Sequence, residues 1–201
     1  LAAATPLAAR RMKRSKETGA WLTAMPHTLN GTTLSMEEFR DNLRLRCGLR
    51  PQHLPQRCDG CQQRFTVEHA LQCAHGGLIL QRHDEFAAEW HQLCAEAKSP
   101  TAVTDEPAIP NYQPATGREG ARHGAPQILR GDVGVKGFWR RGQQAIFDIR
   151  VTDTDAASHR NKTPAKVLRI QEDEKKRRYV VPCREAHKSF TPLVFSVDGM
   201  E

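Results

Sequence analysis

The alternation of apolar and polar positions is clearest between Ile128 and Val151. From Ala145 onward Phe147, Ile149 and Val151 fall on one face of an extended strand, and Asp148 and Arg150 fall on the other. Just upstream, Leu129, Val133 and Val135, with Gly131 between them, share a face and leave Arg130 and Asp132 opposite. Residues 136–144 are rich in Gly and Arg and read as the connection, so a hairpin is expected. Folded that way, it aims Asp132 and Asp148 at the same space. Two carboxylates beside a cation suit a hard divalent ion and a phosphodiester. An ordinary half-exposed hairpin with a charged outer face has the same pattern.

Helical periods flank this region. Ser35 and Glu38 form a capping box for a helix whose stripe is Met36, Phe39, Leu43 and Cys47, with Gly48 and Pro51 after it. It reads as a packing element with Arg40, Arg44 and Arg46 largely off the stripe, available to phosphates. A second helix is expected over 78–97, with Phe86, Trp90, Leu93, Cys94 and Ala97 inward and Asp84, Glu85, Glu89 and Glu96 off the stripe centre. Thr163-Pro164 opens a third over 164–180, in the favoured order of N-cap and first helical residue. Glu172 with Lys176, Asp173 with Arg177 and Glu174 with Arg178 are spaced i,i+4 along it, and Pro182 is expected to kink or break it. Residues 192–197 read as a buried strand, so strand 145–151, helix 164–180 and this strand make a right-handed βαβ unit. The stretch 99–126 is dense in Pro, Gly, Thr and Asn and reads as a loop, with a short edge strand over 103–109.

Composition narrows the partners. The hydrophobic share of 38% and mean hydropathy of −0.63 leave much of the chain as surface or linker. No apolar run approaches the ~18 residues of a membrane span. A net charge of +7 and a pI near 9.3 favour a polyanion, nucleic acid ahead of an anionic membrane. The basic run from Arg10 to Lys16 reads as a solvated linker, with a nucleic-acid arm or a nuclear import signal as the sharper reading. Leu1 is not a start methionine and Leu1 to Ala9 lacks the order of a signal peptide, so the sequence reads as a piece of a longer chain.

Of six cysteines, Cys58 and Cys61 sit two residues apart on an Asp-Gly turn, followed by His69 and Cys73 at the spacing of one helical turn. Four ligands of this type and order suit a tetrahedral, closed and therefore structural Zn²⁺, with Phe65 and Leu71 over the ion. A disulfide or free thiols are the plainer reading, and His75 is a substitute ligand or a loop residue before Gly76-Gly77. Ligand spacing of this kind fits a reducing compartment.

Several blocks occur in order: Ala-Trp-Leu-Thr (20–23), Glu-Phe-Arg-Asp (38–41), the Cys-Cys-His-Cys knuckle with Phe-Thr-Val-Glu-His-Ala-Leu (65–71), and Arg-His-Asp-Glu (82–85). They continue with Gly-Phe-Trp (137–139), Phe-Asp-Ile-Arg-Val (147–151) and Ser-Phe-Thr-Pro-Leu-Val-Phe-Ser (189–196). Together they resemble the C-terminal part of non-LTR retrotransposon polyproteins, where a reverse transcriptase is followed by a zinc knuckle and a restriction-like endonuclease. The resemblance implies a nuclear enzyme that nicks target DNA so that the released end primes copying of the element's RNA. It implies Asp132 and Asp148 as ligands of a catalytic Mg²⁺ and places Arg130 as the basic residue before the first acid. The catalytic cation is then Arg150 or Lys175, and Glu85 is a first-helix acid. Arg130, Arg140 and Arg141 would grip the nucleic-acid backbone.

The expected fold is α/β: a small mixed sheet flanked by helices, restriction-endonuclease-like, preceded by a zinc knuckle and a helical linker. The expected divisions are 1–52 as a basic linker and helical segment, 53–77 as the knuckle and 78–201 as the endonuclease. Expected partners are target DNA, element RNA and an upstream reverse transcriptase, with no membrane. The competing expectation is a catalytically inactive nucleic-acid-binding module of a mobile element.

Overall fold

The computed structural model of the chain describes residues 6–14, 19–29, 31–75, 78–110 and 128–199. The helices are α1 (Pro6–Arg14), α2 (Met36–Arg46), α3 (Val67–Gln72), α4 (Leu78–Ala97) and α5 (Pro164–Glu185). The strands are β1 (Val103–Asp105), β2 (Ala108–Ile109), β3 (Leu129–Arg130), β4 (Val133–Lys136), β5 (Gln144–Thr152) and β6 (Ser189–Ser196). None of these helices is long and apolar enough to cross a membrane. Two compact units result: Leu1–Ile79 with Thr152–Val167 and Phe195–Glu201, and Leu80–Val151 with Leu168–Val194. The segment 78–201 thus contributes to both units.

The second unit is built on a four-stranded mixed sheet in the order β1-β4-β5-β6. β4 and β5 pair antiparallel, with Val133 opposite Phe147 and Val135 opposite Ala145. β5 is interior, and Ala145 to Ile149 are all buried. Alternation explains how. Ala145 and Phe147 point to one side, where Trp90 and Cys94 of α4 pack with Val133, Val135 and Phe138. Ile146 points to the other, where Tyr179 and Cys183 of α5 pack with Ile109, Leu129 and Phe190. The hairpin therefore has no exposed charged face, and Asp148 is only 3% exposed.

Several sequence expectations are corrected here. The run 128–135 is not one strand: β3 pairs with β2 in a separate ribbon, and Leu129 lies in the α5 cluster, apart from Val133 and Val135. The break falls at Gly131, where a Cβ would lie 2.3 Å from Ile146 Cγ2 and 3.1 Å from the Phe147 carbonyl oxygen. Only a residue without a side chain can cross β5 so closely. Pro182 neither ends nor interrupts α5, which runs to Glu185. A proline this close to a C-terminus disturbs only the last turns. β6 is half-buried rather than buried, as suits an edge strand carrying Pro192.

Among its described residues the first unit has little apolar core: the buried apolar ones are Cys58, Cys73 and Val167, alongside buried Arg14, Thr154, Asp155 and Ser196. The basic run is not a solvated linker here. α1 docks through Arg10, Arg11 and Arg14, all paired to the Asp155 carboxylate, and Arg14 also reaches Asp198 at 2.7 Å. Arg14 is buried, at 6% exposure; residues 15–18 lie outside the described residues. α2 keeps its capping box but buries no residue, and Met36 of its expected stripe is 87% exposed. Asn42, Leu45 and Arg46 instead line a cavity of ≈ 430 Å³ with Trp21, Val67 and Leu71.

Asp155 therefore carries α1. Burial works against its charge, but hydrogen bonds from Arg14 and Arg11 outweigh it and hold its pKa below the ordinary value. A depressed carboxylate contributes stability above its unfolded pKa of ~3.9 and loses it as pH falls through the folded value. Protection of α1 amides from hydrogen exchange should start to fall as the pH drops below about 4 and be lost once it passes the lower folded pKa of Asp155. Asp155→Ala should destabilise this unit by about 3 kcal/mol at neutral pH, because it strands buried guanidinium charge.

Candidate functional site

The cysteine cluster is assembled from local rules. Gln62, not Gly60, takes the left-handed φ of 60° that folds the turn, and the Cys58 N–H donates to the Gln63 carbonyl at 2.9 Å. Thr66 caps α3 by accepting from the His69 N–H at 3.0 Å, which presents His69 and then Cys73 one turn apart. Cys58 Sγ and Cys73 Sγ are 3.8 Å apart, Cys73 Sγ and Cys61 Sγ 3.7 Å, and Cys61 Sγ and His69 Nε2 3.2 Å. All six cysteines are free thiols, which sets the disulfide reading aside. Tetrahedral zinc with Zn–S near ~2.3 Å needs sulfurs about 3.8 Å apart. The four ligand atoms lie within 4.8 Å of one another, so the cluster could bind a metal ion such as zinc. The Cys61 backbone N–H and the His69 ring hold the Cys58 thiol below its usual pKa, favouring the ligating thiolate. His75 is not part of this cluster.

The second candidate lies in the sheet unit, where the bend before β4 brings Asp132, β5 brings Asp148, α4 brings His83 and α5 brings Lys175. The Asp132 N–H donates to the Phe147 carbonyl at 2.9 Å, and the Asp132 carboxylate in turn accepts from the Ile149 N–H. That places Asp132 beside Asp148. Lys175 of α5 lies against Asp148 Oδ2 as an ion pair. That oxygen is buried and accepts no aligned hydrogen bond. From α4, His83 Nε2 stands 3.3 Å from Asp132 Oδ2, and its Nδ1 stands 3.1 Å from Asp84.

Electrostatics follow from this crowding. Burial pushes the Asp132 carboxyl above its usual pKa; the Ile149 N–H opposes this, the Asp148 charge adds to it, and His83 and Lys175 subtract. Burial disfavours a charged His83, yet Asp84 and Asp132 outweigh it and raise its pKa. Beneath them Tyr179 is held protonated by burial and by Asp148, and its hydroxyl donates to the Arg130 carbonyl at 3.0 Å. Burial also lifts the Cys183 thiol to about 11.

No family profile and no curated protein matches this chain.

The predicted residues separate cleanly. Asp132, Asp148 and Lys175 come together. Arg150 does not join them: its Nη1 pairs with Glu174 at 3.0 Å. Glu85 is exposed and accepts from the Gln81 amide at 2.8 Å. Arg130 turns its guanidinium to the Glu106 carbonyl, and Arg140 and Arg141 are exposed on the β4–β5 connection. Among the described residues the carboxylates do not form a close set of three metal ligands like that of the cysteines. His83 is the residue that sequence reasoning passed over. It lies seven residues before Trp90 and eleven before Cys94, on the inward stripe of α4, and that spacing was the available sign.

Protein purified without chelator should carry about one zinc per chain. Chelation should abolish exchange protection in α3 and α1 while β4 and β5 stay protected, since the first unit lacks a core that could replace ~10 kcal/mol of metal binding. Zinc-free protein with unchanged protection in α3 would contradict a structural role.

Proposed function

We propose that this chain is the zinc-knuckle and restriction-like endonuclease region of a non-LTR retrotransposon polyprotein, acting in the nucleus. It nicks target DNA, and the exposed 3′ end primes copying of the element RNA by an upstream reverse transcriptase. The observation that carries the reading is the meeting of Asp132, Asp148 and Lys175 on a mixed sheet flanked by helices. The net charge of +7 suits a nucleic-acid partner.

The donor set fits a hard divalent ion. Both acids offer oxygen, and Mg²⁺ is commonly held by one or two carboxylates with water filling its other positions. The buried Asp148 Oδ2 already meets Lys175, so such an ion would share that oxygen with the lysine. When bound, Mg²⁺ supplies a more acidic water and neutralises charge on the phosphoryl oxygens. Lys175 keeps a positive charge at the reacting phosphate and orients the water, while the Ile149 N–H fixes the direction of Asp132. Arg140 and Arg141 hold the DNA backbone from their exposed connection. Arg150, occupied by Glu174, supports the surface rather than the chemistry.

One observation favours a second reading, the inactive binding module: each acid already has its own cation, Lys175 for Asp148 and His83 for Asp132. Plasmid nicking decides between them. Asp132→Asn and Asp148→Asn should lower Mg²⁺-dependent nicking by roughly 10³-fold while DNA affinity holds or rises. Lys175→Ala should cost about 10²-fold and Arg150→Ala less than about threefold. Wild-type protein that binds DNA in a salt-sensitive way but nicks with neither Mg²⁺ nor Mn²⁺ leaves the binding module.

A further inference from the structure

Between Val133 and Phe147 the chain holds three cations, Lys136, Arg140 and Arg141, and no acid. All three are exposed, and among the described residues no carboxylate pairs with them. Elsewhere in this unit Arg150, Lys175 and Lys176 each meet an acid. Trp139 stands among the unpaired cations with 59% of its surface exposed. A single exposed apolar residue needs no explanation, but this one is held in place. Its only polar atom is satisfied, because Nε1 donates to Thr191 Oγ1 of the β6 edge at 3.0 Å. Phe138 meets the indole with ring centroids 4.7 Å apart and planes at 80°, and is itself anchored on buried Phe147 at 4.9 Å. The Gly137 N–H closes the connection by donating to the Gln143 carbonyl at 2.8 Å. The indole is thus a fixed platform tied to the core and ringed by free positive charge.

We propose that the β4–β5 connection binds single-stranded nucleic acid: an unpaired base stacks on the Trp139 indole, and the phosphates beside it meet Lys136, Arg140 and Arg141. This rests on the nucleic-acid reading of the unit and adds the form of strand it holds. Sites for single strands combine cations that follow the backbone with an aromatic face for the bases. In a duplex each base is covered by its neighbours, and opening a step to reach it costs unstacking. The cations alone take either form, since phosphate contacts carry no information about the base. The indole makes the difference. The contact also stands apart from the acids, because Gln144, where β5 begins, lies four residues before Asp148, or ~13 Å along the strand.

The test is fluorescence anisotropy of the zinc-loaded full chain, without Mg²⁺, on a labelled oligothymidine, its duplex with oligoadenosine, and an abasic strand of equal length. Trp139→Ala should weaken the single strand at least about fivefold and leave the duplex within about twofold. Trp139→Phe, which keeps an aromatic face, should retain most of the affinity. Trp139→Leu, which keeps apolar bulk without that face, should behave as alanine does, and it carries the test if the alanine variant folds poorly. On the abasic strand wild type and these variants should bind alike. Arg140→Ala with Arg141→Ala should weaken both forms and flatten the salt dependence by about one unit per lost contact. Single-strand affinity that does not change in Trp139→Leu overturns the inference, and so does an equal loss on single strand, duplex and abasic strand. If either happens in protein that nicks plasmid DNA, the nuclease reading stands and only this inference falls. If the wild-type chain binds none of the three and nicks nothing, both fall.

Discussion

A carboxylate in the middle of an interior strand is the constraint from which the sheet unit follows. Asp148 lies between Phe147 and Ile149, on a strand covered from both sides. Leaving such a charge unpaired costs several kcal/mol, so a cation must follow it inward. Lys175 does so, and this fixes the rotation of α5: Lys175, Tyr179 and Cys183 recur at i, i+4 and i+8 and face the sheet together. Tyr179 then reaches the Arg130 carbonyl and closes the end of β3 against the same helix. At Gly131 the close passage over Ile146 drops Asp132 beside the pair.

The helical unit solves a different problem. With few apolar side chains buried among its described residues, it relies on four metal-type ligands in one place and on guanidinium groups gathered on Asp155 in another. The first is local, spanning Cys58 to Cys73, and the second ties α1 to residue 155; both depend on pH, because thiolates and carboxylates must be charged to act. An apolar cavity of ≈ 430 Å³ beside α2 and α3 fits a unit of this kind, where packing is not the main source of stability.

Features set by neighbouring residues were legible in the sequence. The Ser35–Glu38 box, the Thr163 cap, the knuckle ligands and the pairing of β4 with β5 each depend on groups a few residues apart. What was not legible depended on distant chain. Alternation in β5 implies one exposed face only if nothing covers it, and the covering Tyr179 and Cys183 arrive from some thirty residues downstream. Arg150 shares a face with Asp148 by parity, yet Glu174 captures it. Glu85 was singled out for its acidity, while His83, two residues earlier, holds the inward position. The arginines of α1 read as solvent-facing because Asp155, more than 140 residues on, cannot be seen from them.

If the charged pair is kept for chemistry rather than for stability, a neutral replacement should separate the two. The measurement is denaturant unfolding and plasmid nicking of Asp148→Asn, of Lys175→Met and of the double variant Asp148→Asn, Lys175→Met. Lys175→Met should lose about 3 kcal/mol, and the double should recover to within about 1 kcal/mol of wild type, since a buried pair exchanged for neutral groups costs little. Neither Lys175→Met nor the double variant should nick DNA above background. A double variant that nicks at the wild-type rate would contradict the account, as would one destabilised by the full sum of its single changes.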